Sequence, residues 1–177
     1  MRLKDDRYYG DFESFGQSQP GEFEEKPSPG GAAPLDRVRP LDCLLTERDR
    51  AALEGHLDRL GGYGEGIYPQ LLRYLDAKLA DALRVRDDEI PRGLATGNSR
   101  IVYALPHGGE ESRILVHSTN DFVVGFSLPT ATLLGAALLG AMAGQRVPYL
   151  TAEGELRHAE IRAVPFQPEA AREEAGE

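Results

Sequence analysis

A chain of 177 residues, 41% of them hydrophobic, with a net charge of −9, is enough for one globular domain plus an appendage. The charge is spread along the chain and no Lys/Arg cluster stands out, which argues against direct binding to nucleic acid, because phosphate contacts need clustered cations. The single cysteine, Cys43, excludes an internal disulfide framework and fits a reducing cytoplasm, and the opening MRLKDDRYYG has no apolar run of the secretory kind.

Residues 1–43 are rich in Gly, Pro, Ser and Glu and follow neither hydrophobic period, so a disordered extension is expected. Tyr8, Tyr9, Phe12, Phe15 and Phe23 lie among its acidic residues. They read as a solvated tail, with a short docking motif as the sharper alternative.

Order is expected from Leu44. Thr46 and Asp49 resemble a capping box, and Leu53, Leu57 and Leu60 recur at helical spacing. Gly61, Gly62, Gly64 and Gly66 form a loop around Tyr63 and Glu65. A second helix starts near Ile67, with Leu71, Leu75, Leu79 and Leu83 on one face and Pro69 in its first turn. Residues 44–88 thus predict a short antiparallel helical hairpin of about four turns per arm.

Residues 89–168 read as an antiparallel sheet with one packed helix. Ile101–Leu105 and Arg113–His117 flank the turn Pro106-His107-Gly108-Gly109 and predict a β-hairpin. Phe122–Phe126 is expected as a third strand. Thr132–Met142 is expected as a small-residue helix that approaches the sheet closely, with Leu134, Leu138, Leu139 and Met142 on its face and Gly144 at its cap. Val147–Leu150 and Leu156–Phe166 complete the sheet, and 169–177 is expected to be a disordered tail. No stretch is long and apolar enough to span a membrane.

No self-contained chemistry emerges from the residues. His56, His107, His117 and His158 are isolated in sequence, none at metal-ligand spacing, and no P-loop, dinucleotide fingerprint or nucleophile elbow occurs. His117 reads as a packed or edge histidine, and the acidic run Asp87-Asp88-Glu89 as a solvated loop. No catalytic residue, metal site or cofactor is expected.

Several pieces together carry a resemblance. They are the helical hairpin, Asn98-Ser99-Arg100 opening a strand, Leu134-Gly135-Ala136-Ala137-Leu138-Leu139-Gly140, then Gly144, and Phe166-Gln167-Pro168-Glu169. In order and spacing, over roughly residues 44–170, the sequence resembles the Rnk-type regulators of nucleoside diphosphate kinase, relatives of the Gre transcript-cleavage factors. The resemblance implies an antiparallel coiled coil followed by an FKBP-like domain, and bacterial RNA polymerase as partner. Carried over by position, polymerase docking falls on Phe126, Ser127, Pro129, Thr132, Leu133, Leu134 and Gly135, and the coiled-coil tip on Gly62, Tyr63, Gly64 and Glu65. Gre factors hold a second Mg²⁺ with paired carboxylates at that tip, whereas Glu65 is the only carboxylate here. The implied function is a cytoplasmic, monomeric regulator at the polymerase secondary channel that competes with Gre factors without stimulating cleavage. The alternatives are a peptidyl-prolyl isomerase, against which the absence of Trp speaks, and a general protein-interaction adaptor.

Overall fold

The computed structural model describes residues 43–106 and 108–175. The expected extension with its aromatic residues lies outside the described residues, as does His107.

The chain begins with a short strand, β1 (Leu44–Thr46), which leads directly into α1 (Glu47–Leu60). The Thr46 hydroxyl accepts from the Asp49 amide at 3.0 Å, and Glu47 and Asp49 place carboxylates at the positive end of the helix. Loop 61–67 connects to α2 (Tyr68–Asp81), where Pro69 occupies the first turn and removes an amide that would have no helical partner. Arg50, near the start of α1, donates to the Leu79 carbonyl near the end of α2 at 3.0 Å, so the helices run in opposite directions. Leu53, Leu71 and Leu75 between them are fully buried.

The second helix ends before Leu83, which the helical spacing had placed inside it. Leu83–Val85 forms β2 and pairs in parallel with β1, Leu44 opposite Leu83 and Thr46 opposite Val85. The helix pair therefore leaves and rejoins the body through adjacent strands.

Five strands form the main sheet in the order β5-β4-β3-β7-β6. They are β3 (Arg100–Ala104), β4 (Glu110–Val116), β5 (Ser127–Pro129), β6 (Arg146–Leu150) and β7 (Leu156–Phe166). The hairpin β3–β4 and the last two strands fall near where the apolar pattern placed them, although β4 begins at Glu110, three residues before the expected Arg113. The sheet is mixed rather than antiparallel throughout, because β5 runs parallel to β4, Ile114 opposite Ser127. A strand parallel to its predecessor needs a return connection, and residues 117–126 supply it. This is why Phe122–Phe126 is not the expected strand. It closes as a turn in which Gly125 has φ +78° and Ser127 Oγ accepts from the Val123 amide at 3.0 Å.

Helix α3 (Leu133–Leu138) is shorter than the Thr132–Met142 expected from composition. Leu139 is already extended, and the next residues turn into the body, where the Gly140 amide donates to the Ala95 carbonyl at 2.7 Å and the Gly140 carbonyl accepts from Leu44 at 3.0 Å. Its inner face is Leu133, Ala136, Ala137 and Leu138, while Leu134 is half-buried. Gly135 lies so close to the Pro129 carbonyl that a Cβ there would overlap it. The tail expected to be disordered from 169 instead forms α4 (Pro168–Ala175). Gln167 anchors it, donating to the carbonyls of Pro91 and Leu94, both at 3.1 Å, and Thr96 donates to Glu169 at 2.8 Å. No helix among the described residues is long and apolar enough to cross a membrane.

Gly135→Ala should cost about 1–3 kcal/mol, because backbone must shift to admit the methyl group. Gly62→Ala, with nothing within 4 Å of the new carbon, should stay within about 0.5 kcal/mol. Chemical denaturation of both variants measures the contrast.

Candidate functional site

The leucine row of α1 packs as the spacing suggests, Leu53 in the core and Leu57 and Leu60 partly buried against it, but the inward face carries polar residues as well. Asp49, Leu53 and His56, at i, i+4 and i+7, are its buried residues, so two polar side chains point from this helix into the body. His117, just beyond β4, and Thr130, just beyond β5, meet them there. The two histidines, isolated in sequence, have ring centroids 6.1 Å apart.

The groups form one chain of hydrogen bonds. Asp49 Oδ1 accepts from the Gly97 amide at 2.9 Å and lies 2.9 Å from His117 Nε2. His117 Nδ1 lies 2.8 Å from Thr130 Oγ1, which lies 3.0 Å from His56 Nε2. His56 Nδ1 faces an Arg59 guanidinium nitrogen at 2.5 Å. With both imidazoles neutral and carrying hydrogen on Nε2, Arg59 donates to His56, His56 to Thr130, Thr130 to His117, and His117 to Asp49, while the Val116 carbonyl at 3.3 Å is a second, longer acceptor for the Thr130 hydroxyl. Gly97 belongs to this arrangement, since a Cβ there would fall on the His117 imidazole and within 2.9 Å of Asp49 Oδ1.

Asp, His and Thr in that order suggest a nucleophilic triad, but the geometry serves another purpose. Thr130 is fully buried and its hydroxyl is engaged by both histidines, so no substrate carbonyl can approach it. The chain of bonds fixes α1 to the sheet. Asp49 Oδ2 is buried without a partner among the described residues, which makes the bonds to Oδ1 the more costly to lose. Among the described residues no three His, Cys, Asp or Glu side chains gather as metal ligands.

The residues assigned to docking divide in two. Phe126 is 67% exposed and lies beside Val123 and Val124, which are also exposed. Ser127, Pro129, Thr132 and Leu134 are partly accessible. Leu133 and Gly135 are buried and shape this surface from beneath. Thr132 organises it, donating to the Pro129 carbonyl at 2.7 Å and capping α3 by accepting from the Gly135 amide at 3.1 Å. Gly62, Tyr63, Gly64 and Glu65 all lie exposed in loop 61–67, where the Tyr63 and Tyr68 rings approach to 4.9 Å. Asp58 is exposed on α1, before the loop. Cys43 is buried, its thiol 3.8 Å from the Leu139 carbonyl.

Burial foremost, with the Arg59 guanidinium beside the ring adding to it, lowers the His56 pKa to about 4. The unfolded chain takes up this proton near pH 6.5, so between pH 6.5 and 4 the unfolded state binds more protons and stability falls as pH drops. Denaturant titrations across that window should show the loss in the wild type and a shallower slope in His56→Gln. Equal slopes would mean that His56 is not the group responsible.

No family model matches the chain. The regulator of nucleoside diphosphate kinase of Escherichia coli strain K12 is 32% identical over 98 residues, covering 55% of this chain and 72% of that protein. The Shigella flexneri protein of the same name matches at 32% over 98 residues, again covering 72% of its length. Among solved structures, the transcription elongation factor GreA/GreB from Nitrosomonas europaea superposes with a TM-score of 0.53 at 24% identity, covering 71% of this chain and 100% of that one. That likeness establishes a shared mixed α+β fold. With 32% identity over most of the length of its curated relatives, the chain belongs to the family of regulators of nucleoside diphosphate kinase.

Proposed function

We propose that the protein is a transcription regulator that binds bacterial RNA polymerase at the rim of the secondary channel, competes there with Gre factors and does not stimulate transcript cleavage. The observation that carries the reading is the turn before β5, where Phe126, which the resemblance assigns to docking, stands 67% exposed beside Val124 at 76%. Exposed apolar side chains grouped on one turn are costly to keep in water and suit a protein partner. The shared fold with a protein named as a transcription elongation factor supports the same partner.

In this reading the mixed sheet with α3 is the FKBP-like docking body. Helices α1 and α2 are the coiled coil that points into the channel. Each has 14 residues and so spans about 21 Å. Glu65 alone supplies a carboxylate in the tip loop, and Gly64 and Gly66 flank it. Mg²⁺ demands oxygen ligands in strict octahedral geometry, and one carboxylate on a glycine-rich loop does not meet that demand as a rigid pair would. The protein would act as a monomer, without contacting nucleic acid directly.

Pull-down of polymerase core enzyme by the purified protein should succeed and be abolished by excess Gre factor. Phe126→Ser should weaken binding at least tenfold, roughly 1.4 kcal/mol, with unchanged thermal stability. Wild-type binding by that variant, or binding that survives the competitor, would move the site elsewhere. Strong cleavage stimulation in stalled complexes would overturn the non-cleaving mechanism.

A further inference from the structure

A narrow cleft opens where α2 meets α3 and β6. Cys43, Tyr74, Lys78, Ala137 and Arg146 line it, with Val147 and Pro148 at its wall. Lys78 is 1% exposed, among the most deeply buried side chains of the molecule. Its ammonium lies 6.0 Å from the centroid of the Tyr74 ring, a cation–π distance. Among the described residues it has no carboxylate partner and no hydrogen-bond acceptor, and Arg146 has none either.

The two charged side chains lining this cleft, Lys78 and Arg146, are both cations that only donate. Lysine offers three N–H groups and no acceptor, and arginine five. Burial pushes the Tyr74 hydroxyl upward, so it stays protonated and can donate. The Cys43 thiol is turned to the Leu139 carbonyl. Among the described residues no aspartate or glutamate lines the space. The stem of Lys78 is buried, but its ammonium is not among the sealed polar atoms that lack a partner, so it opens onto the cleft where an acceptor entering from solvent can reach it. The cleft has room for about one water-sized group. That suits one oxygen of an oxyanion, whose remaining oxygens would stay at the mouth beside the exposed, forked guanidinium of Arg146.

We propose that the Lys78–Tyr74–Arg146 cleft is a binding site for an oxyanion, a phosphoryl or carboxylate group carried by a small solute. The site is independent of polymerase docking. It lies on the opposite edge of the sheet from β5, along β6, so occupancy and docking can be tested separately.

The test is thermal unfolding of the full chain at pH 7.5, with inorganic phosphate titrated at constant ionic strength against sodium chloride. Acetate serves as a second arm. Wild type should show a saturable rise in Tm. Arg146→Gln, on the surface, should raise the apparent Kd at least fivefold. Lys78→Met, which keeps the length of the side chain in apolar surroundings, should abolish the saturable rise. A saturable response to acetate as well would widen the ligand to carboxylates, and a response to phosphate alone would restrict it to phosphoryl groups. No rise, or a non-saturating rise of equal slope in all three proteins, would overturn the proposal. Amide shifts around residues 74, 78 and 146 on phosphate addition provide a readout that works even if Lys78→Met does not fold.

Discussion

A carboxylate buried between a helix and a sheet has to be satisfied in place, and the position of Asp49 ties the two halves of the fold together. Its backbone amide is held by the Thr46 cap, while its Oδ1 gathers the Gly97 amide and His117. One residue thus starts α1, fixes the loop before β3 and orients a histidine at the end of β4. Removing a single partner would leave buried polar groups unpaired, which is more costly than never having placed them there. The two histidines and Thr130 extend the same constraint along α1, so the helix is fixed by direction-specific bonds as well as by the burial of Leu53.

The connection after β4 serves structure and function together. Because β5 pairs in parallel with β4, residues 117–126 must carry the chain back. Val123, Val124 and Phe126 stand exposed on this return. Thr130, at the far end of β5, belongs to the buried bonds that hold α1. The apolar turn and the helix pair are therefore attached to the same short edge strand from opposite ends.

Much of this was legible in the sequence because the signals are local. The Thr46 cap, the glycine loop 61–67, the strands expected at 101–105, 113–117 and 156–166, each overlapping an observed strand, and the early Pro69 follow from spacing or from a residue with a defined backbone preference. The failures came where distant residues decide. Phe122–Phe126 has the composition of a strand, but the direction of β5 makes it a turn. The run of small residues after Thr132 suggests a long helix, but close approach of residues 139–144 to Ala95 and Gly93 ends it early. The tail helix is held by Gln167, whose partners Pro91 and Leu94 lie more than seventy residues away in sequence. The His56–His117 contact joins segments that no period connects. Its one visible trace was Asp49 and His56 sharing a helical face with Leu53, a polar pair on a stripe that amphipathicity assigns to the core.

The parallel pairing of β1 with β2 fixes both feet of the helix pair at one place. The outer end of the pair, beyond His56 on α1 and before Leu71 on α2, is consequently a cassette, since Asp49 and His56 hold the rest of α1 to the body. Whole turns can be added to both arms, in step, without altering the strand register at its base or the sheet behind it. Arm length becomes a variable that evolution or an engineer can set independently of the body, so reach and docking can diverge separately within one architecture.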